Sequence, residues 1–198
     1  MQTVKGVTNM TRSILWASLL IGLLGFGLPE ILTAQTTTEV HPGGGGSPHV
    51  KTTWTLSGTD ISITYGRPYV KGRTIFGDLV PYDQVWRTGA DEATTLEISA
   101  DMIIGETEIP KGVYTLYTLP GETKWQLIVN KETGQWGTQY SSEEDLMRID
   151  MHRETRATPL EQLSINVTLS DGETGSGALE IEWNTTRVSV PIRAKLKE

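Results

Sequence analysis

Between Tyr65 and Thr94 the chain gathers four cations, Arg67, Lys71, Arg73 and Arg87, with five aromatics, Tyr65, Tyr69, Phe76, Tyr82 and Trp86. Guanidinium groups hold carboxylate, phosphate or sulfate bidentately and also stack on aromatic faces. Sugar rings favour flat aromatics edged by charged hydrogen-bonding groups. The mixture suits a small anionic ligand, a glycan or a peptide end. The candidate binding residues are Tyr65, Arg67, Lys71, Arg73, Tyr82, Trp86, Arg87, Asp91 and Glu92. A purely structural reading competes with this one. Gly66-Arg67-Pro68, Lys71-Gly72-Arg73 and Thr88-Gly89 are tight-turn sequences, and Asp78, Asp83, Asp91 and Glu92 suffice to pair every cation. On that reading the loop is a flap that completes the core.

Catalytic arrangements are poorly supplied. Asp91 or Glu92, with Glu97 nearby, offers a carboxylate for a cell-envelope or polysaccharide hydrolase. Adjacent residues in extended chain point to opposite faces, so a working pair needs a distant partner that the sequence does not name. His152 falls on the polar face of a predicted strand, no Gly-x-Ser-x-Gly elbow is present, and His152 with Asp150 makes two metal ligands rather than a site. His41 and His49 bracket a glycine tract, but two imidazoles on a tether lack a fixed third ligand, so no metal site and no cofactor is expected. Gly175-Ser176-Gly177 lacks the Lys-Ser/Thr of a phosphate loop. The tripeptides beginning at Asn166 and Asn184 match the glycosylation acceptor pattern, which recurs by chance.

The elements that must position the loop read as strands. Val50, Thr52, Trp54 and Leu56 alternate with polar residues, as do Ile61, Ile63 and Tyr65. Such alternation turns one face to a core and one to water. It resumes at Thr94–Ser99, Met102–Gly105, Lys124–Asn130 and Met147–Met151, then at Leu163–Leu169, Leu179–Trp183 and Val188–Ile192, while Gly112–Leu119 carries apolar groups on both faces, as a central strand would. Ser141-x-x-Glu144 has the form of a capping box for a single helical turn. Gly172–Gly177 and Asn184–Thr186 read as turns. About ten short strands with almost no helical period predict an all-β antiparallel sandwich, jelly-roll-like, carrying one long ordered loop. A closed β-barrel is the alternative. The loop itself has no clean period, and it is too rich in aromatic and apolar residues to be disordered.

Residues 1–34 read as an export signal: Lys5 and Arg12, an uncharged apolar run over Ile14–Leu28, then Leu32-Thr33-Ala34 before the cut. The mature protein is then expected in the periplasm or secreted, with no membrane partner. Residues 35–48, with a Thr run and the Gly43–Gly46 tract, read as a flexible linker, and residues 49–198 as one domain. The chain has 198 residues, no cysteine and a formal charge of −7. Absent cysteine excludes disulfides and thiolate metal sites. The acidic balance argues against a nucleic-acid partner held by bulk electrostatics.

One run is specific: Trp86-Arg87-Thr88-Gly89-Ala90-x-Glu92-Ala93-Thr94. With Tyr65-x-Arg67-Pro68, Lys71-Gly72-Arg73-x-Ile75-Phe76-Gly77, Val80-Pro81-Tyr82 and Pro110-x-Gly112-x-Tyr114-x-Leu116, it resembles a family of exported bacterial proteins, domain of unknown function 2911. The resemblance spans most of Ser47–Ile192. It implies export and an all-β domain and carries no activity. Asp91 stands where the family is expected to have Asn, which puts one more carboxylate beside Arg87.

Overall fold

A computed structural model describes residues 35–170 and 175–195. The segment read as an export signal, and part of the predicted turn at Gly172–Gly177, lie outside them. The strands are β1 (Thr36–His41), β2 (His49–Leu56), β3 (Thr59–Gly66), β4 (Thr95–Ile98), β5 (Met102–Ile104), β6 (Thr107–Ile109), β7 (Gly112–Leu119), β8 (Trp125–Asn130), β9 (Asp145–Leu169) and β10 (Ser176–Ala194). They form one antiparallel ladder in the order β1-β2-β3-β4-β7-β8-β9-β10-β5-β6. Among the described residues no helix is long and apolar enough to cross a membrane.

The fold is the expected all-β sandwich, and the ladder stays open rather than closing into a barrel. It doubles over at β9, whose first residues (Asp145–Met151) pair with β8 while His152–Leu169 pair with β10. The inward sides of both halves merge in one apolar cluster, with Trp54, Ile63 and Leu96 from the first half beside Leu163, Ile181 and Val190 from the second. Burial of the alternating residues is the dominant favourable term, about 1.5–3 kcal/mol for each large apolar side chain. The Tyr65 hydroxyl ties the layers across the core by accepting the Ile165 N–H at 2.9 Å.

The strand count matches expectation but its makeup differs. The predicted strands at Met147–Met151 and Leu163–Leu169 are two ends of β9, and those at Leu179–Trp183 and Val188–Ile192 are two halves of β10. Asn184–Thr186 is therefore a bulge and not a turn: Asn184 takes φ 52°, and the register with β9 shifts on either side of it. The extra β9 residues opposite include Pro159, which a bulge tolerates because no ladder donor is needed there. Ser142–Glu144 is a short 3-10 turn, as the local sequence suggests, but the Ser141 hydroxyl accepts no capping N–H.

The segment read as a flexible linker departs most. Thr36–His41 is β1, pairing along β2 from Thr36↔Thr53 to His41↔His49. Its β-branched threonines favour a pleated edge. The glycine tract then makes a tight turn that brings the chain back into β2, with Gly43, Gly45 and Gly46 all at positive φ.

Candidate functional site

Residues 67–94 connect β3 to β4 and are ordered along their length. Their main chain forms isolated bridges to the body at Tyr69↔Gln162, Trp86↔Thr118 and Glu92↔Trp136. Val70 N–H donates to Glu161 O at 2.7 Å, Asp83 N–H to Pro120 O at 2.7 Å and Trp86 N–H to Thr118 O at 2.8 Å. Val70, Ile75, Val80, Ala90 and Ala93 are buried beneath it. The loop is thus a packed strap, which satisfies its own backbone groups against strand ends.

Its sharpest turn is Trp86–Asp91. Thr88 is fully buried at φ 55°, a left-handed conformation that a β-branched residue rarely takes, and Asp91 lies at φ 60°. Such residues cost on the order of 1–3 kcal/mol and persist where surrounding contacts over-determine them. Here they do. Thr88 Oγ1 donates to Thr118 Oγ1 at 3.1 Å, and Thr88 O accepts from Thr94 Oγ1 at 3.1 Å. The turn throws the Arg87 and Asp91 side chains to the same side.

That side is a cavity of about 480 Å³, within the range of small-molecule sites. Of the nine candidate residues, Lys71, Arg73, Trp86, Arg87 and Asp91 line it. The other four predicted residues do not. Tyr65 is a core residue, its hydroxyl committed to the Ile165 main chain, and burial pushes its phenol above the ordinary value near 10. Arg67 donates to Leu163 O at 3.0 Å and fastens the strap to β9. Tyr82 packs against Gly77. Glu92 turns the other way, its Oε2 lying 2.9 Å from His49 Nε2.

Tyr69, Tyr117, Tyr140, Trp183 and the Gly44–Gly46 turn complete the wall. Trp183 stacks on Trp86 with ring centroids 5.8 Å apart at 15°, and Phe76 meets both edge-on. No local pattern marks Trp183 or Tyr117, since each belongs to a body strand whose burial accounts for it. Tyr117 donates to Gln139 O at 2.7 Å and Tyr140 to Asp145 Oδ2 at 2.7 Å. Burial raises both phenols.

The electrostatics are lopsided. None of the ion pairs among the described residues involves Arg67, Lys71, Arg73 or Arg87. Arg73 donates to the Val70 and Tyr69 carbonyls, and Arg87 Nε to Gly89 O at 3.3 Å. Asp91 is the one carboxylate among the lining residues, and its Oδ2 accepts the Gly44 N–H at 2.9 Å. Three cations thus face the cavity with guanidinium and ammonium donors to spare. His152, read from the sequence as a polar-face histidine, contacts Glu154 at 3.2 Å on an exposed surface of β9.

One cluster supplies the third group that the two imidazoles were expected to lack. His41 and His49 are stacked, with centroids 4.1 Å apart, and Glu92 joins them. The pairing of β1 with β2 creates this contact, which the reading of a loose tether excludes.

Fold and site define an antiparallel β-sandwich whose long β3–β4 strap builds a cation-lined cavity over one end. The chain belongs to a protein family of unknown function, DUF2911, whose model matches residues 47–192. No curated protein and no solved structure matches it.

Proposed function

We propose that this protein is a non-catalytic binding module of the periplasm or cell exterior whose cavity holds a small organic anion with a flat or ring-shaped body. The observation that carries the reading is the set Lys71, Arg73 and Arg87, facing about 480 Å³ of space without carboxylate partners. Lys71 and Arg73 are exposed and Arg87 is half-buried, so their remaining donors are solvated and open to an arriving anion. Trp86 and Tyr69 supply faces against which a ring can lie. A hydrolase needs a second acid opposite Asp91 or Glu92. Asp91 is instead engaged by Gly44 and Glu92 by His49.

Calorimetric titration with glucuronate, citrate and phosphate tests the reading, with Arg87→Ala as the diagnostic variant. A charge-assisted hydrogen bond contributes about 1.5–3 kcal/mol, so Arg87→Ala is expected to weaken binding roughly 10- to 150-fold. No binding of any probe, or equal affinity in the variant, removes the proposal. Export is tested by sequencing the N-terminus of the protein recovered outside the cytoplasm, with a start close to Gln35 expected.

A further inference from the structure

We propose that His41, His49 and Glu92 bind one divalent transition-metal ion of the class that prefers imidazole, such as Zn²⁺, at a site separate from the cavity. One donor atom from each residue lies within 4.8 Å of the other two. Glu92 Oε2 is 2.9 Å from His49 Nε2 and 3.8 Å from His41 Nε2. Tetrahedral zinc with bonds near 2.0–2.2 Å needs donors about 3.3–3.5 Å apart, so these separations bracket the requirement.

The donors come from three segments: the end of β1, the start of β2 and the tail of the strap. His49 is the fixed one. It is buried, and its Nδ1 donates to Ser47 O at 3.1 Å, which leaves Nε2 to face Glu92. A backbone carbonyl that orients a ligating imidazole in this way is the usual supporting contact of a metal histidine. His41 and Glu92 have half-exposed side chains and can adjust. The stacked rings lie 18° from parallel, so bringing both lone pairs onto one ion requires the His41 ring to turn. The one hydrogen bond given up is Gly43 N–H to His41 Nδ1, at 3.1 Å. The Ala90 carbonyl, 3.1 Å from His49 Nε2, stands beside the ion position and can take a further coordination point.

The full chain, carrying no histidine tag, is titrated with Zn²⁺ by calorimetry, with Mg²⁺ as the control. One Zn²⁺ per chain is expected and no Mg²⁺. His41→Ala and Glu92→Gln, both at half-exposed side chains, should keep the wild-type circular dichroism and lose at least about 10- to 100-fold in affinity, the loss that even a supporting contact carries. Arg87→Ala should bind Zn²⁺ like the wild type, which separates this site from the cavity. The proposal fails if the wild type takes up no Zn²⁺. It also fails if His41→Ala and Glu92→Gln bind it unchanged while His152→Ala does not, because uptake then belongs to the surface pair His152–Glu154.

Discussion

Arginines are held in two opposite ways in this molecule. On β9 and β10, Arg156 reaches Glu182, and Arg187 meets Glu180, Glu182 and Glu154 together. Around the cavity, Arg73 and Arg87 donate only to main-chain carbonyls. With 24 acidic residues against 17 basic ones, pairing is the easy arrangement for a cation in this chain. A carboxylate partner neutralises a guanidinium and consumes its donors. A carbonyl partner fixes its direction and leaves both the charge and the remaining N–H groups for something else. The first arrangement builds a sheet surface, and the second leaves donors open to the cavity, where we propose that an anion binds.

The contrast can be broken by substitution. Arg187→Ala should cost stability without touching the cavity. Glu180 is 7% exposed and loses its charged partner, keeping the Thr168 hydroxyl. Stranding a buried acceptor costs about 1–3 kcal/mol, and the 36% exposure of Arg187 keeps the loss at the lower part of that range. Chemical denaturation measures it, and affinity for an anionic probe should not change. Gly137→Ala comes next. Its new Cβ would lie 2.7 Å from Arg87 Cδ and 2.7 Å from the Asp91 carbonyl oxygen, so overpacking of about 1–2 kcal/mol and a displaced guanidinium are expected together. Arg87→Ala should shift stability by no more than about 0.5 kcal/mol while removing most anion affinity. A large stability loss in that variant would move Arg87 into the first class and end the distinction.

The smallest effect appears only in alkali. Tyr140 lines the cavity beside the paired Arg148 and Asp145, and burial first, then its bond to Asp145, raises its phenol above the ordinary value near 10. Tyr117 is raised by burial. The unfolded chain gives up these protons before the folded one does, so stability is fully present below about pH 10 and declines as pH rises beyond it. Denaturation midpoints at mildly alkaline and strongly alkaline pH should show the decline, and an unchanged midpoint would contradict the burial of these rings.

Alternation in the sequence made the sheet legible wherever one face meets the core. Val50, Thr52, Trp54 and Leu56 are all buried as their spacing requires. It failed where a strand has no buried face. The middle of β9, around Glu154–Leu160, is largely exposed on both sides and paired with β10 through bulges, so it carries no periodic mark. Asn184-Thr185-Thr186 has turn composition because a bulge uses the same backbone freedom as a turn. Of the cavity, the strap's own contribution was visible in the gathering of Lys71, Arg73, Trp86 and Arg87. Trp183 and Tyr140 were not, since their proximity depends on where strand ends arrive in space. The meeting of His41 with His49 was hidden for a related reason: glycines between them look like slack unless the preceding threonines are recognised as a strand.

The stack of Trp86 on Trp183 has a practical outcome. One indole belongs to the strap and the other is rooted among the core side chains, yet both border the same space. Any molecule entering there alters the surroundings of a chromophore that the interior already holds rigid. Occupancy can therefore be followed by native emission, without a dye or a tag.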